Sequence, residues 1–359
     1  LRIAVIAHLR HPVAPPFKGG MEAHCATLCA GLVERGHEVI LFAAPGSGCA
    51  GEVRTICEAP YEDVLPWHDW HGTPELNDWQ RSAYARAWDA IGDGEFDVVH
   101  NNTLFPALIE WARSDGVPML TSQHVPPFGR MHDAVIAAAG DARAQVSVTS
   151  ASQVPLWFDE APANLSVVHN GIDTAWWSPA ERGERLVWSG RITANKGTDH
   201  ALEAARRADV ALDIVGTIED AAYFAAEVEP LLDERRRYLG HLSAEALREA
   251  IAGAAACVVT PMWPEPFGLV AAEALSCDVP VIAYANGAMA EVVGPAGILV
   301  PPGDIDALAA AMRAGVTLDP GAARQRALDL FSIPTMIAGY ERLYDRAKRA
   351  TALAPEPVA

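Results

Sequence analysis

At 359 residues, half of them apolar and a fifth charged, the chain has material for two domains of ordinary size and is not of disordered composition. Its formal net charge of -19 argues against nucleic acid as a main partner and against docking on an anionic membrane, since both rest on clustered Lys and Arg. The one obvious basic run, Arg235-Arg236-Arg237, reads as a solvated helix end.

Short β-branched runs alternate with longer Ala- and Leu-rich stretches. The first run, 3–7, is followed by a helix over 21–35 that stops at Gly36, and 37–43 returns as a strand. Residues 60–82 break the pattern: Trp67, Trp70 and Trp79 interleave with His68, Asp69, His71, Glu75 and Asp78. This segment suits an acceptor-binding loop that stacks on sugar rings and a peripheral helical hairpin with a Trp core equally well. Further strands are expected at 98–100, 118–121 and 146–149. A Gly- and Pro-containing connection over 170–185 divides the chain, and strands follow at 186–188, 212–215, 257–260 and 279–283. The runs are apolar without strict alternation, as in strands buried on both faces, so the class is α/β with parallel sheets. Two Rossmann-like domains facing across a central cleft are expected. Residues 1–170 form the first, 171–332 the second, and 333–359 a helix at 333–348 with a frayed tail after Leu353.

The six cysteines form no Cys-x-x-Cys pair and no zinc spacing, so they read as reduced thiols. The first strand begins almost at residue 1 with no room for a signal peptide, and no apolar run reaches membrane-spanning length. A cytoplasmic protein is expected.

Three segments carry chemistry. Gly19-Gly20-Met21-Glu22 joins the first strand to the first helix, where backbone can approach a ligand and helix amides can meet a phosphate; a plain turn is the bland alternative. Gly190-Arg191 ends the first strand of the second half, with Lys196-Gly197 beyond. The Arg fork and the Lys point charge can converge on one anion, each charge-assisted bond contributing roughly 1.5–3 kcal/mol, or they are ordinary surface cations. The third segment, 261–274, places Glu265 in a Pro- and Gly-marked loop and Glu273 on the apolar helix that follows Gly268. Phosphate can lie on the amides of Gly268, Leu269 and Val270 between two carboxylates that bind hydroxyls. A carboxylate in so apolar a helix needs a partner, and an internal ion pair is the competing reading of Glu273. His124 taken alone reads as a structural histidine. Asp304-Ile305-Asp306 looks like a metal-binding Asp-x-Asp but opens a helix, so Asp304 reads as an N-cap and no catalytic metal is expected.

By these motifs the sequence resembles the retaining glycosyltransferases of family 4, of GT-B fold, through nearly its whole length. Thr121-Ser122-Gln123-His124, His169-Asn170-Gly171-Ile172-Asp173, Val279-Pro280-Val281-Ile282 and Pro301-Pro302-Gly303-Asp304 add to the three segments above, in order. The resemblance implies that Glu273 binds the nucleotide ribose and Glu265 the donor sugar. Gly268, Leu269 and Val270 supply amides, Arg191 and Lys196 hold the diphosphate, Gly20 meets it from the other domain, and His124 sits by the donor sugar. By the same resemblance 1–170 would be the acceptor side and 171–332 the nucleotide-sugar side, with the final helix crossing back to the first domain. Two departures stand out: Asn286-Gly287 occupies a place where the family usually has paired glycines, so that loop is expected to differ, and the chain is short for the family, with little room over 115–150 for large acceptor insertions.

The resemblance implies a metal-independent, retaining transfer from a nucleotide-diphosphate sugar, with no other cofactor. A nucleotide-sugar epimerase or phosphorylase of the same architecture, and a non-catalytic nucleotide-sugar-binding subunit, are the rivals. The acidic composition points to a small soluble acceptor. The Ala-rich, Arg-over-Lys composition is that of a GC-rich genome, which suggests a natural product such as an oligosaccharide antibiotic, with a small thiol or sugar precursor as runner-up. The nucleotide base and the oligomeric state stay open.

Overall fold

The computed structural model describes residues 1–319 and 321–352; the tail expected after Leu353 lies outside them. The chain divides into two compact units. The first comprises 1–149, 153–171 and 333 onward, and the second 150–152 and 172–332.

The first unit is built on a seven-stranded, all-parallel sheet in the order β3-β2-β1-β4-β5-β6-β7. Its strands are β1 (Arg2–Ala7), β2 (Glu38–Ala43), β3 (Glu52–Thr55), β4 (Val98–Asn102), β5 (Met119–Gln123), β6 (Ala144–Val148) and β7 (Leu165–Val167). The second holds a six-stranded parallel sheet, β10-β9-β8-β11-β12-β13. Its strands are β8 (Leu186–Ser189), β9 (Leu212–Val215), β10 (Arg236–Tyr238), β11 (Cys257–Val259), β12 (Val281–Tyr284) and β13 (Gly297–Val300). Both are doubly wound α/β sheets, and each strand order reverses once, between β1 and β4 and between β8 and β11. Outside the carboxyl ends of those strands is where such sheets take ligands.

The first helix, Gly20–Glu34, buries Cys25, Leu28, Cys29 and Leu32, the spacing of one helical face. It packs in the same core as the final helix, Ile333–Ala352, which buries Ile337, Tyr340, Leu343 and Tyr344. Arg35 and His37 both reach Glu341, and Lys348 donates to Asp97 at 2.5 Å. The basic run is not a helix end. Arg236 and Arg237 lie in the edge strand β10, with Arg236 buried against Asp233, Arg237 donating to Asp213 at 2.9 Å, and Arg235 to Asp209 at 2.8 Å. All six cysteines are unpaired thiols. Among the described residues, no helix is long and apolar enough to cross a membrane.

Candidate active site

In the second unit, the two strands at the order reversal deliver the sequence-derived site residues. β8 runs out into Gly190-Arg191, and β11 into the loop that ends at Gly268. Thr260, just after β11, joins the two outgoing loops. Its hydroxyl donates toward the carbonyl oxygens of Lys196 and Gly197 at 2.9 and 2.8 Å and accepts from Trp188 Nε1 at 2.9 Å. Met262 N–H donates to the Asn195 carbonyl at 2.9 Å. Gly197 has φ +63°, and a Cβ added there would run into the Thr260 carbonyl oxygen, so only glycine permits this approach.

The lock brings Lys196 and Glu265 together. Lys196 Nζ donates to Glu265 Oε2 at 2.6 Å, and Trp263 Nε1 donates to the same oxygen at 2.9 Å. Glu265 is 9% exposed, and among the described residues its Oε1 has no protein donor. Behind it, Gly287 at φ +61° lies against the Glu265 backbone, and Ala288 N–H donates to the Glu265 carbonyl at 2.8 Å. The preceding Asn286 is not in the left-handed region, and its amide donates to the Pro261 carbonyl at 3.2 Å. Asparagine therefore serves there without strain; only the second residue of that pair needs to be glycine.

Gly268, at φ +85°, is the N-cap of the helix Leu269–Ser276, with no side chain capping it. Among the described residues no acceptor takes the amides of Gly268, Leu269 or Val270, so the helix presents free N–H groups. Glu273 stands one turn further along, flanked by the buried Ala272, Ala274 and Leu275. The ion-pair reading of Glu273 fails: among the described residues its carboxyl has no hydrogen bond and no ion pair. Burial pushes its pKa up to about 7. Arg191 is placed differently. Its side chain is exposed and Nη1 donates to both oxygens of Glu219, at 3.0 and 2.6 Å. The convergence of Arg191 and Lys196 on one anion is thus not preformed; each is held by its own carboxylate. Asp304 caps its helix by accepting from Ala307 N–H at 2.9 Å, and Asp306 pairs with Arg207 at 2.8 Å, so the Asp-x-Asp run is committed to structure.

In the first unit, Gly20 opens the first helix, whose N-terminus also lacks a side-chain cap. His124 follows β5 directly. Its Nε2 is 2.8 Å from Asn102 Oδ1, and its ring centroid 4.2 Å from that of His24. Burial lowers its pKa to about 4, with the Asn170 hydrogen bond opposing, so the ring is neutral at pH 7. Sequence reasoning missed the polar set around it. His100 bonds the Tyr344 hydroxyl at 2.6 Å and the Ser122 hydroxyl at 2.7 Å, and His24 meets the Tyr340 hydroxyl at 3.4 Å. The signal available was His100-Asn101-Asn102, three polar residues in a row inside a strand with both faces covered.

Residues 18–176 match the family model Glycosyltransferase Family 4, and residues 177–326 match Glycosyl transferases group 1. An MMP alpha-(1->4)-mannosyltransferase of Mycolicibacterium hassiacum is 30% identical over 299 residues, covering 71% of each chain. The chain belongs to the family 4 glycosyltransferases. This glycosyltransferase is also 28% identical over 395 residues to a glycogen synthase of Mycobacterium tuberculosis, covering 93% of both chains. Among solved structures, Anabaena HepE in complex with UDP-glucose superposes with a TM-score of 0.73 at 17% identity, covering 96% of this chain and 99% of that one. That likeness concerns the fold, GT-B with two α/β domains.

Proposed function

We propose that the protein is a retaining, metal-independent glycosyltransferase that moves a sugar from a nucleotide diphosphate to a small soluble acceptor in the cytoplasm. The observation that carries this is Glu273. A carboxyl kept away from every protein donor, in the same unit as a helix N-terminus with free amides, is a cost to the fold that a ligand with hydroxyls and phosphates would offset. In this reading Glu273 receives the ribose hydroxyls. The amides of Gly268, Leu269 and Val270 and the charges of Lys196 and Arg191 hold the diphosphate, and Gly20 offers helix amides to phosphate from the first unit. Glu265, with Oε1 unspent, orients the donor sugar, as does the neutral His124. Arg191 must leave Glu219 to take part, which makes its contribution dependent on donor binding.

In the transfer, the anomeric carbon–oxygen bond breaks with its electron pair going to the diphosphate. The acceptor oxygen forms its bond on the same face and passes its proton to the leaving phosphate oxygen. No side chain is assigned as nucleophile. Cationic stabilisation of the leaving group falls to Lys196 and Arg191, and both members of the Asp-x-Asp run are engaged elsewhere. The complex of HepE with UDP-glucose makes uridine diphosphate the first nucleotide to try.

The test is thermal unfolding of the wild type and of Glu273→Ala with UDP, GDP, ADP and TDP. A ligand at about 100 times its Kd adds roughly 2.7 kcal/mol to stability. One diphosphate should raise the wild-type transition and leave the variant unmoved. If none raises the wild type, or if the variant keeps the full effect, the donor assignment is wrong.

A further inference from the structure

The first unit contains a cavity of about 720 Å³, the size of a small-molecule site. It lies at the carboxyl edge of the sheet: His8 follows β1, Phe105 follows β4 by three residues, and Val125 follows β5 by two. The strand order reverses there, between β1 and β4. The 61–81 segment contributes to its wall, and the structure divides the roles of the tryptophans there. Trp70 and Trp79 pack against the core of this unit, while Trp67 stays 44% exposed, stacked on His71 at 4.5 Å, and lines the cavity.

The chemistry of the lining selects among ligands. His8 Nε2 and the Tyr61 hydroxyl are 3.1 Å apart and spend their hydrogen bonds on each other. Around them stand Leu104, Phe105, Val125 and Met131. The other uncharged or acidic polar groups of the lining, His71, Asn77, Asp78 and Gln80, all come from the 71–80 segment. A ligand edged with hydroxyls all round would therefore lose water against the apolar wall of Leu104, Phe105, Val125 and Met131, whereas a planar apolar ring would not. The 44%-exposed Phe128 supplies an open ring for such a plane, and Phe105 and Trp67 supply ring edges, since Tyr84 lies against Phe105 and both His71 and the Arg10 guanidinium lie against Trp67. Two guanidinium groups also face the cavity with little neutralisation. Arg81 lies over the rings of Phe105 and Trp111, at 6.0 and 5.8 Å, and has no carboxylate partner among the described residues. Arg130 comes no closer than 3.9 Å to Glu110. Asp78 is the one acid of the lining, so the lining keeps a net positive charge in a chain of net charge -19.

We propose that this cavity is the acceptor site, and that it takes a planar aromatic acid: an aryl ring carrying one anionic group and the hydroxyl that is glycosylated. The assignment as acceptor rests on the transferase reading above, whereas the ligand chemistry rests on the cavity alone.

The test is calorimetric titration of the full-length protein with para-coumarate, its neutral counterpart para-coumaryl alcohol, and a glucose phosphate. Para-coumarate should bind, and the double variant Arg81→Gln, Arg130→Gln should weaken it at least about tenfold, the effect of losing a charge-assisted contact, while changing the alcohol little. Trp67→Ala should weaken both aryl compounds. Binding of glucose phosphate in preference to para-coumarate, or para-coumarate binding that ignores the arginine variants, overturns the proposal. Melting with UDP on the same proteins separates the two readings. If UDP stabilises and para-coumarate fails, the cavity assignment falls alone. If para-coumarate obeys the variants and no nucleotide binds, the aromatic-acid site stands and its role as acceptor site falls with the transferase reading.

Discussion

A carboxyl group placed in the middle of an eight-residue helix of otherwise apolar and small side chains costs the folded chain more the more it is ionised. Glu273 is in that position, with its pKa raised by burial to about 7. For a carboxylate raised above its unfolded value, the folded state holds the proton longer. The group is harmless below its ordinary pKa near 4.5 and destabilises as pH rises toward 7. The full penalty above pH 7 is at most about 3.5 kcal/mol, since each tenfold change in a proton-binding constant corresponds to about 1.4 kcal/mol, and solvent reaching the half-buried side chain lowers it. Glu273→Gln, which keeps the shape and cannot ionise, should therefore raise the melting temperature of the ligand-free protein at pH 8 and leave it nearly unchanged at pH 5. The same variant should lose most of its nucleotide stabilisation. Melting curves at the two pH values decide it. An equal shift at both, or a loss at pH 8, would mean that the carboxyl already has a partner.

At the scale of elements, the interior strands were legible because burial on both faces leaves a short apolar run, as in β1, β2, β8 and β12, while β4 and β5 begin apolar and turn polar toward their carboxyl ends. The four strands that escaped, β3, β7, β10 and β13, are the four sheet edges. An edge strand is paired on one side only and tolerates polar residues, which is how Arg236 and Arg237 came to look like a helix end. The donor loops were legible because glycine and proline mark them, in Gly190, Gly197, Pro266 and Gly268. What the loops do to each other was not: the hydroxyl of Thr260 clasping Lys196 and Gly197 is a contact across 64 residues of sequence. This interlock should be fragile at one point. Gly197→Ala must abandon φ +63° or press on the Thr260 carbonyl, and should cost about 1–3 kcal/mol and release Lys196 from Glu265. Gly36→Ala is the control. It shares a left-handed φ of +84°, but its added Cβ meets nothing within 4 Å, so only the backbone cost, about 1–2 kcal/mol, applies and nucleotide binding survives. Equal binding by both variants would show that the interlock does not position Lys196.

At the scale of the whole molecule, the two units carry titrating groups of opposite sign. In the first, burial lowers His8 and His124 to about 4 and His100 to about 3, and lowers His24 as well. His100 is tied through Tyr344 to the final helix, so its ionisation bears on the docking of the chain's last element. For a histidine held neutral in the fold, stability is complete above the unfolded value near 6.5. It is lost as pH falls toward the folded value, at up to about 1.4 kcal/mol per pH unit for each fully desolvated ring. The second unit contains Glu273, which between pH 6.5 and 5 gains stability as it takes up its proton. Carboxylates lowered by ion pairs, such as Asp97, Asp213 and Glu341, begin to matter only below about 4.5 and stay out of this window. Scanning calorimetry from pH 6.5 to 5 should therefore show the first unit losing stability while the second holds or gains. A single transition at pH 6.5 should broaden or split as the pH falls. In Glu273→Gln the second unit should become indifferent to pH over the same range while the first still weakens. A transition that moves down as one cooperative whole, at the same rate in wild type and variant, would show that the histidines and the carboxyl do not act on separate units.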